Sequence, residues 1–205
     1  MIGLTVEGGL WTITLNRPDK ANSLTATMLE DLVSLTARAA TEGAQVLVLT
    51  GAGKVFSAGA DLEAARAGLA TSPLWERLSG QIAALPCLTI AALNGTLAGG
   101  AMGMALACDL RLAVPETKIF YPVMKLGFLP QPSDVPRLVA LVGQARAAMI
   151  LMAGARIAAD EALAWGLLDR IAAPGALLSL AHDLAADTLA ASPAHATAIK
   201  AMIRG

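Results

Sequence analysis

The chain has 205 residues, 56% of them hydrophobic and 15% charged, and its formal net charge is −1. That length allows one domain with a sizeable core. The near-neutral charge gives no electrostatic reason to expect nucleic acid or an anionic membrane surface as a partner. Alanine explains much of the apolar excess, which also suits buried subunit interfaces. Cys87 and Cys108 lie in apolar stretches and read as reduced core residues, not a disulfide. The N-terminus lacks a basic segment followed by an apolar run, so a cytoplasmic location is expected.

In chain order, residues 4–6 and 11–15 alternate about Gly8-Gly9, a hairpin signal. Asn16-Arg17-Pro18-Asp19 is a loop. Residues 24–40 have helical spacing, with Met28, Leu32, Leu35 and Ala39 on one side and Gly43 as a stop. A buried strand is predicted at 45–50, helices at 61–69 and 73–85, and a second buried strand at 87–93. A glycine-fed helix and a strand at 109–114 follow. Strands alternating with helices imply an α/β domain with mostly parallel pairing. Residues 115–136 hold five prolines and read as irregular, and a long loop in a compact domain is usually functional or covering. Helices are expected at 137–143, 144–152, 159–166, 176–191 and 193–204. One domain is expected over 1–205, with a core at about 1–140 and a helical region at about 141–205.

The chemistry points to LNGTLAGGAMGMALACD at 93–109. A strand, a glycine turn and a helix start leave unpaired N–H groups in the first helical turn. The helix dipole adds partial positive charge there. Such an end suits an oxygen that carries or develops negative charge. Gly99 and Gly100 let a ligand approach the backbone. A membrane span competes for this stretch, but Pro86 and Asn94-Gly95 break the run and no basic cluster flanks it. A dinucleotide-binding fingerprint lacks its first glycine and its acidic partner. Helix packing without a ligand stays open on the glycines alone. A second segment, KVFSAGADL at 54–62, also follows an apolar strand, and two such loops can aim two N–H groups at one oxygen.

With these segments the chain resembles the crotonase, or enoyl-CoA hydratase/isomerase, superfamily. The matching pieces are FSAGADL at 56–62, Asn94-Gly95 with Ala98-Gly99-Gly100, and Cys108-Asp109. Leu15-Asn16-Arg17-Pro18, Asn22-Ser23-Leu24, Gly154-Ala155-Arg156-Ile157 and Trp165-Gly166-Leu167-Leu168 also match. The resemblance implies an α/β spiral of ββα units, followed by helices that mediate trimers, here with an apparently shortened helical C-terminal region. Family members usually continue for several tens of residues past the SPAHATAIKAMIR-like helix. It implies an acyl-CoA thioester as partner, coenzyme A as part of the substrate with no separate cofactor, no metal, and a homotrimer or hexamer.

By position, the resemblance makes Ala58 and Gly99 the oxyanion N–H donors. Lys20, Ala21, Ala60, Asp61 and Leu62 would line the CoA path, although Asp61 reads equally well as the N-cap of the following helix. The family's carboxylate positions fall on Met102, Val123 and Gln131, none of them acidic. Hydration needs one group to activate water and one to protonate carbon. One-base, isomerase-like chemistry is therefore favoured. The alternative is a catalytically degenerate CoA-ester-binding or assembly paralogue. Asp134 is the expected replacement base, its pKa raised by burial against Phe128 and Leu129. Tyr121 and Glu63 read more simply as loop and helix-face side chains, and His182 and His195 as surface or packing residues. Ser57 has no His or Asp placed to activate it as a nucleophile.

Overall fold

The computed structural model describes residues 1–204. Ile2–Glu7 (β1) and Leu10–Leu15 (β2) form the predicted hairpin, with Ile2 opposite Leu15. Ala26–Thr41 (α1) begins where Thr25 caps it, the Thr25 hydroxyl accepting from Met28 N–H. Its buried Met28, Leu29, Leu32 and Val33 repeat at helical spacing and form its core face.

Three similar passages follow. The first is Val46–Gly51 (β3), Val55–Ser57 (β4), Leu62–Arg66 (α2) and Leu74–Ala84 (α3). The second is Leu88–Leu93 (β5), Thr96–Ala98 (β6) and Met102–Ala107 (α4). The third is Leu110–Ala113 (β7), Lys118–Phe120 (β8), Val123–Leu126 (α5) and Asp134–Leu151 (α6). The chain closes with Ile157–Ala158 (β9), Ala159–Trp165 (α7), Arg170–Ile171 (β10), Leu177–Ala190 (α8) and Pro193–Arg204 (α9).

Each passage gives one strand to a six-stranded sheet, ordered β1-β2-β3-β5-β7-β10, and a three-residue strand to a second sheet, ordered β4-β6-β8-β9. The pairings β1–β2 and β8–β9 are antiparallel and the rest are parallel. The chain thus winds as a spiral of ββα units. β3 and β5 are apolar along their length because both faces of the large sheet are covered. Val46, Val48, Ile90 and Ala92 pack with Leu177, Ala181 and Ala185 of α8. The alternating Leu47, Leu49, Ala91 and Leu93 belong to the larger core on the other face.

Several expectations change. The residues read as irregular at 115–136 contain β8, α5 and the first turn of α6, where Pro136 needs no N–H partner. The two helices expected at 137–143 and 144–152 do part at Gly143, whose φ is +79°, but the first of them starts earlier, at Asp134. The helix expected at 61–69 stops at Arg66. The expected boundary near residue 140 falls inside α6, and β9 and β10 carry the later region back into the two sheets. Cys87 and Cys108 are free and buried. Among the described residues, no helix is long and apolar enough to cross a membrane.

Candidate active site

β4 pairs with β6 in parallel, so the loops that follow them leave the same edge side by side. Their backbones touch. A Cβ on Gly59 would lie 2.9 Å from the Ala98 carbonyl oxygen, and Gly59 holds a φ of +89°. Only glycine tolerates both conditions. Asn22 braces this loop from behind. Its fully buried Nδ2 donates to the carbonyls of Ala52 at 2.9 Å and Val55 at 2.6 Å. Ser57 Oγ donates to the Asn22 carbonyl at 2.8 Å and accepts Gly59 N–H at 3.1 Å, so this hydroxyl serves the loop's shape.

The fate of each N–H decides which are available to a ligand. Ala58 N–H donates to the Ala21 carbonyl at 3.0 Å. That bond removes Ala58 from its expected place as an oxyanion donor. Asp61 N–H donates to the Leu24 carbonyl at 2.9 Å. Between them, Ala60 N–H has no acceptor among the described residues. Across from it, Gly99 and Gly100 open the 3-10 turn Gly99–Ala101, so their N–H groups have no acceptor within the turn. These free donors border a cavity of about 360 Å³.

The cavity wall is mostly apolar. It includes Ala58, Ala60, Leu62, Trp75, Val123, Leu126, Phe128 and Gln131. The Trp75 indole donates to the Leu69 carbonyl at 2.8 Å, and a Cβ on Gly100 would lie 3.1 Å from its ring. The titratable side chains in the wall are Arg66 and Tyr121.

Of the residues expected at the site, Ala58, Ala60, Leu62, Gly99, Val123 and Gln131 line this cavity. Lys20 and Ala21 do not. Lys20 ends an exposed 3-10 turn, and Ala21 contributes the carbonyl that takes Ala58 N–H. Asp61 is the N-cap of α2, its Oδ1 accepting from Glu63 N–H at 3.0 Å and Ala64 N–H at 3.3 Å. Arg17 Nη1 donates to its Oδ2 at 2.8 Å, and this bond with the cap bonds holds the carboxyl below the usual carboxylate range. Met102 does not reach the cavity either, because α4 is buried on every side and Met102 points into the core. The next residue, Gly103, faces the site's polar backing: its Cβ would lie 2.8 Å from Asp134 Oδ1.

Asp134 is placed differently from expectation. It is 1% exposed and does not line the cavity. Leu129 is 88% exposed and does not bury it. Asp134 instead lies against Gly103 and Tyr121. Tyr121 OH donates to Asp134 Oδ2 at 3.0 Å, while Oδ1 has no partner among the described residues. Burial pushes the Asp134 carboxyl up to about 6, against the opposing pull of the Tyr121 hydrogen bond and Arg137. Gln131 N–H donates to the phenol oxygen at 3.4 Å. Burial, with Asp134 beside it, pushes the Tyr121 phenol upward. Sequence reasoning set Tyr121 aside as a loop side chain, and its one signal was being the chain's single tyrosine, next to Pro122. Glu63, His182 and His195 are exposed. Among the described residues no cluster of side chains suits a metal ion.

Residues 5–205 match the family model described as enoyl-CoA hydratase/isomerase. The chain belongs to the enoyl-CoA hydratase/isomerase family. It is an enzyme of that family and has the α/β crotonase fold. It is 37% identical to YngF of Bacillus subtilis over 188 residues, covering 88% of this chain and 72% of that protein. It is 36% identical to the carnitinyl-CoA dehydratase of Salmonella arizonae, covering 98% of this chain and 79% of that one. The crystal structure of an enoyl-CoA hydratase from Bacillus anthracis superposes with a TM-score of 0.91 at 30% identity, over 100% of this chain and 82% of that chain.

Proposed function

We propose that the chain binds acyl-CoA thioesters and stabilises the thioester enolate, its oxygen held by the N–H groups of Ala60 and of the Gly99-Gly100 turn. The observation that carries this reading is the meeting of unspent backbone donors from two loops at one apolar cavity. Such fixed donors act strongly where water is excluded. Coenzyme A enters as part of the substrate. The names of the family and of its Salmonella member support a CoA ester as ligand.

One-base, isomerase-like chemistry suits this wall. Moving a double bond needs one group that takes a proton from carbon and returns it to another carbon. Hydration needs two groups. Met102 and Val123 supply no acid, and the wall offers only Arg66 and Tyr121 as titratable side chains. The chain self-associates as a trimer or a dimer of trimers, a reading supported by the family resemblance and by exposed apolar side chains such as Met202 and Ile203.

The test supplies 3-hexenoyl-CoA and follows its conversion to the conjugated 2-enoyl ester, with crotonyl-CoA hydration in parallel. Isomerisation is expected, with hydration well below an ordinary enzymatic turnover of about 10 per second. Hydration at that rate overturns the one-base reading. Tight CoA-ester binding without isomerisation or α-deuterium uptake leaves only the binding half standing.

A further inference from the structure

Tyr121 is the one side chain of the cavity wall whose hydroxyl donates to a carboxylate behind the wall, and so the one that can pass a proton on through a hydrogen bond. It does not stand alone. Its OH donates to Asp134 Oδ2 at 3.0 Å, and its oxygen accepts Gln131 N–H at 3.4 Å. That leaves the phenol oxygen one further lone pair. The carboxylate behind it is shut away from the cavity, 1% exposed, with Oδ1 unpartnered against Gly103. We infer that Tyr121 is the catalytic residue that exchanges the proton with the bound acyl chain, and that Asp134 is the positioning residue that holds it. This rests on the enolate reading above.

The step balances without a further reagent. The C–H bond at the α carbon breaks, and its electron pair moves into the C–C bond as the thioester carbonyl becomes an enolate oxygen. The proton passes to the Tyr121 oxygen while the phenolic proton passes to Asp134 Oδ2. Return of a proton by the reverse path to the γ carbon completes an isomerisation. The phenol is never ionised, so its own high pKa does not oppose the transfer. The strength of the base is that of the buried carboxylate, which lies near the operating pH where a proton carrier is most effective.

The groups facing Asp134 fit this role. Tyr121 comes from the segment after β8, Glu76 and Ser79 from α3, Gly103 from α4, and Ser133 and Arg137 from its own side. Glu76 raises the Asp134 pKa and Arg137 lowers it, and among the described residues Arg137 forms no ion pair with it.

The experiment measures deuterium uptake at the α carbon of butyryl-CoA in heavy water, with ester binding measured by calorimetry. The proteins are wild type, Tyr121→Phe, Asp134→Asn and the double variant. The wild-type rate is expected to rise with pH through a midpoint near 6. Each single variant should exchange about 100-fold more slowly or worse, lose that rise, and bind the ester within about twofold. The double variant should be no slower than either single one, as expected of groups acting as a unit. Because Tyr121 is the only tyrosine, growth on 3-fluorotyrosine labels that position alone. Its fluorine resonance should shift with a midpoint near pH 6 in wild type and not in Asp134→Asn. Exchange by Tyr121→Phe at the wild-type rate overturns the relay and leaves the enolate reading intact. Loss of exchange in Asp134→Asn alone also overturns it, by showing that Asp134 reaches substrate itself. A fluorine signal that ignores pH overturns the coupling. Wild-type protein that binds but never exchanges overturns both readings.

Discussion

A buried carboxylate with one free oxygen is costly, and Asp134 has that arrangement. Its pKa of about 6 means the folded chain binds this proton more tightly than the unfolded chain does. Stability from this group is therefore greatest below the ordinary aspartate value, about 3.9, and declines as pH rises through about 6. The ionised form costs the fold on the order of 3 kcal/mol, from about 1.4 kcal/mol for each tenfold shift in proton affinity. Asp134→Asn keeps an acceptor for Tyr121 and removes the charge. Urea denaturation at pH 4 and pH 7 should show the variant gaining on wild type by on the order of 2–3 kcal/mol across that window. A pH-independent difference would show that the charge is not the costly feature. Gly103 belongs to the same arrangement, since any side chain there would press on the carboxylate.

The three-residue strands β4, β6 and β8 position the site, and each is anchored in the large core by one buried side chain, Phe56, Leu97 and Ile119. Parallel pairing of β4 with β6 sets the two donor loops at contact distance, and pairing of β6 with β8 brings the Tyr121 segment alongside. Gly59 is where this register is most exposed to error. Replacement by alanine adds a Cβ 2.9 Å from the Ala98 carbonyl at a φ of +89°. Gly59→Ala should lose about 1–3 kcal/mol of stability and should separate Ala60 from the Gly99 turn. Chemical denaturation and CoA-ester titration would report the two effects, and a variant equal to wild type in both would refute the close approach. Asp109, part of the Cys108-Asp109 motif, is likewise an element-level tie. It accepts Thr89 N–H at 2.8 Å and Lys200 Nζ at 2.7 Å, joining β5, the start of β7 and α9. Burial alone would raise its carboxyl, but the Lys200 and Thr89 bonds bring it below the usual range.

Across the whole molecule, the large sheet separates two cores, one under α8 and one around α1, α3 and α4. Burial therefore accounts for most of the apolar composition. What remains outside includes Leu62, Leu129, Met202 and Ile203, each at least 75% exposed. Exposed apolar side chains in this number suit contact with other copies of the chain. Light scattering at micromolar concentration should give a mass three or six times that of the 20.9 kDa chain. A monomer would remove the trimer from the proposal.

Period and punctuation in the sequence determined the hairpin, the buried strands β3 and β5, the helices α1, α3 and α8, and the break at Gly143. These follow from local rules: spacing of apolar residues and a glycine stop. The glycine loops were legible for the same reason, because a strand ending in small residues at a helix start has few other uses. The short strands were not legible, since three residues hold too little period to read. The free donor was not legible either. Whether Ala58 or Ala60 keeps its N–H depends on Ala21, a residue 37 positions upstream of Ala58 that folding brings alongside. The same holds for Met102, Gly103 and Asp134. Which of them faces the cavity, the core or a phenol depends on how α4 and α6 pack, and only the tertiary structure decides that.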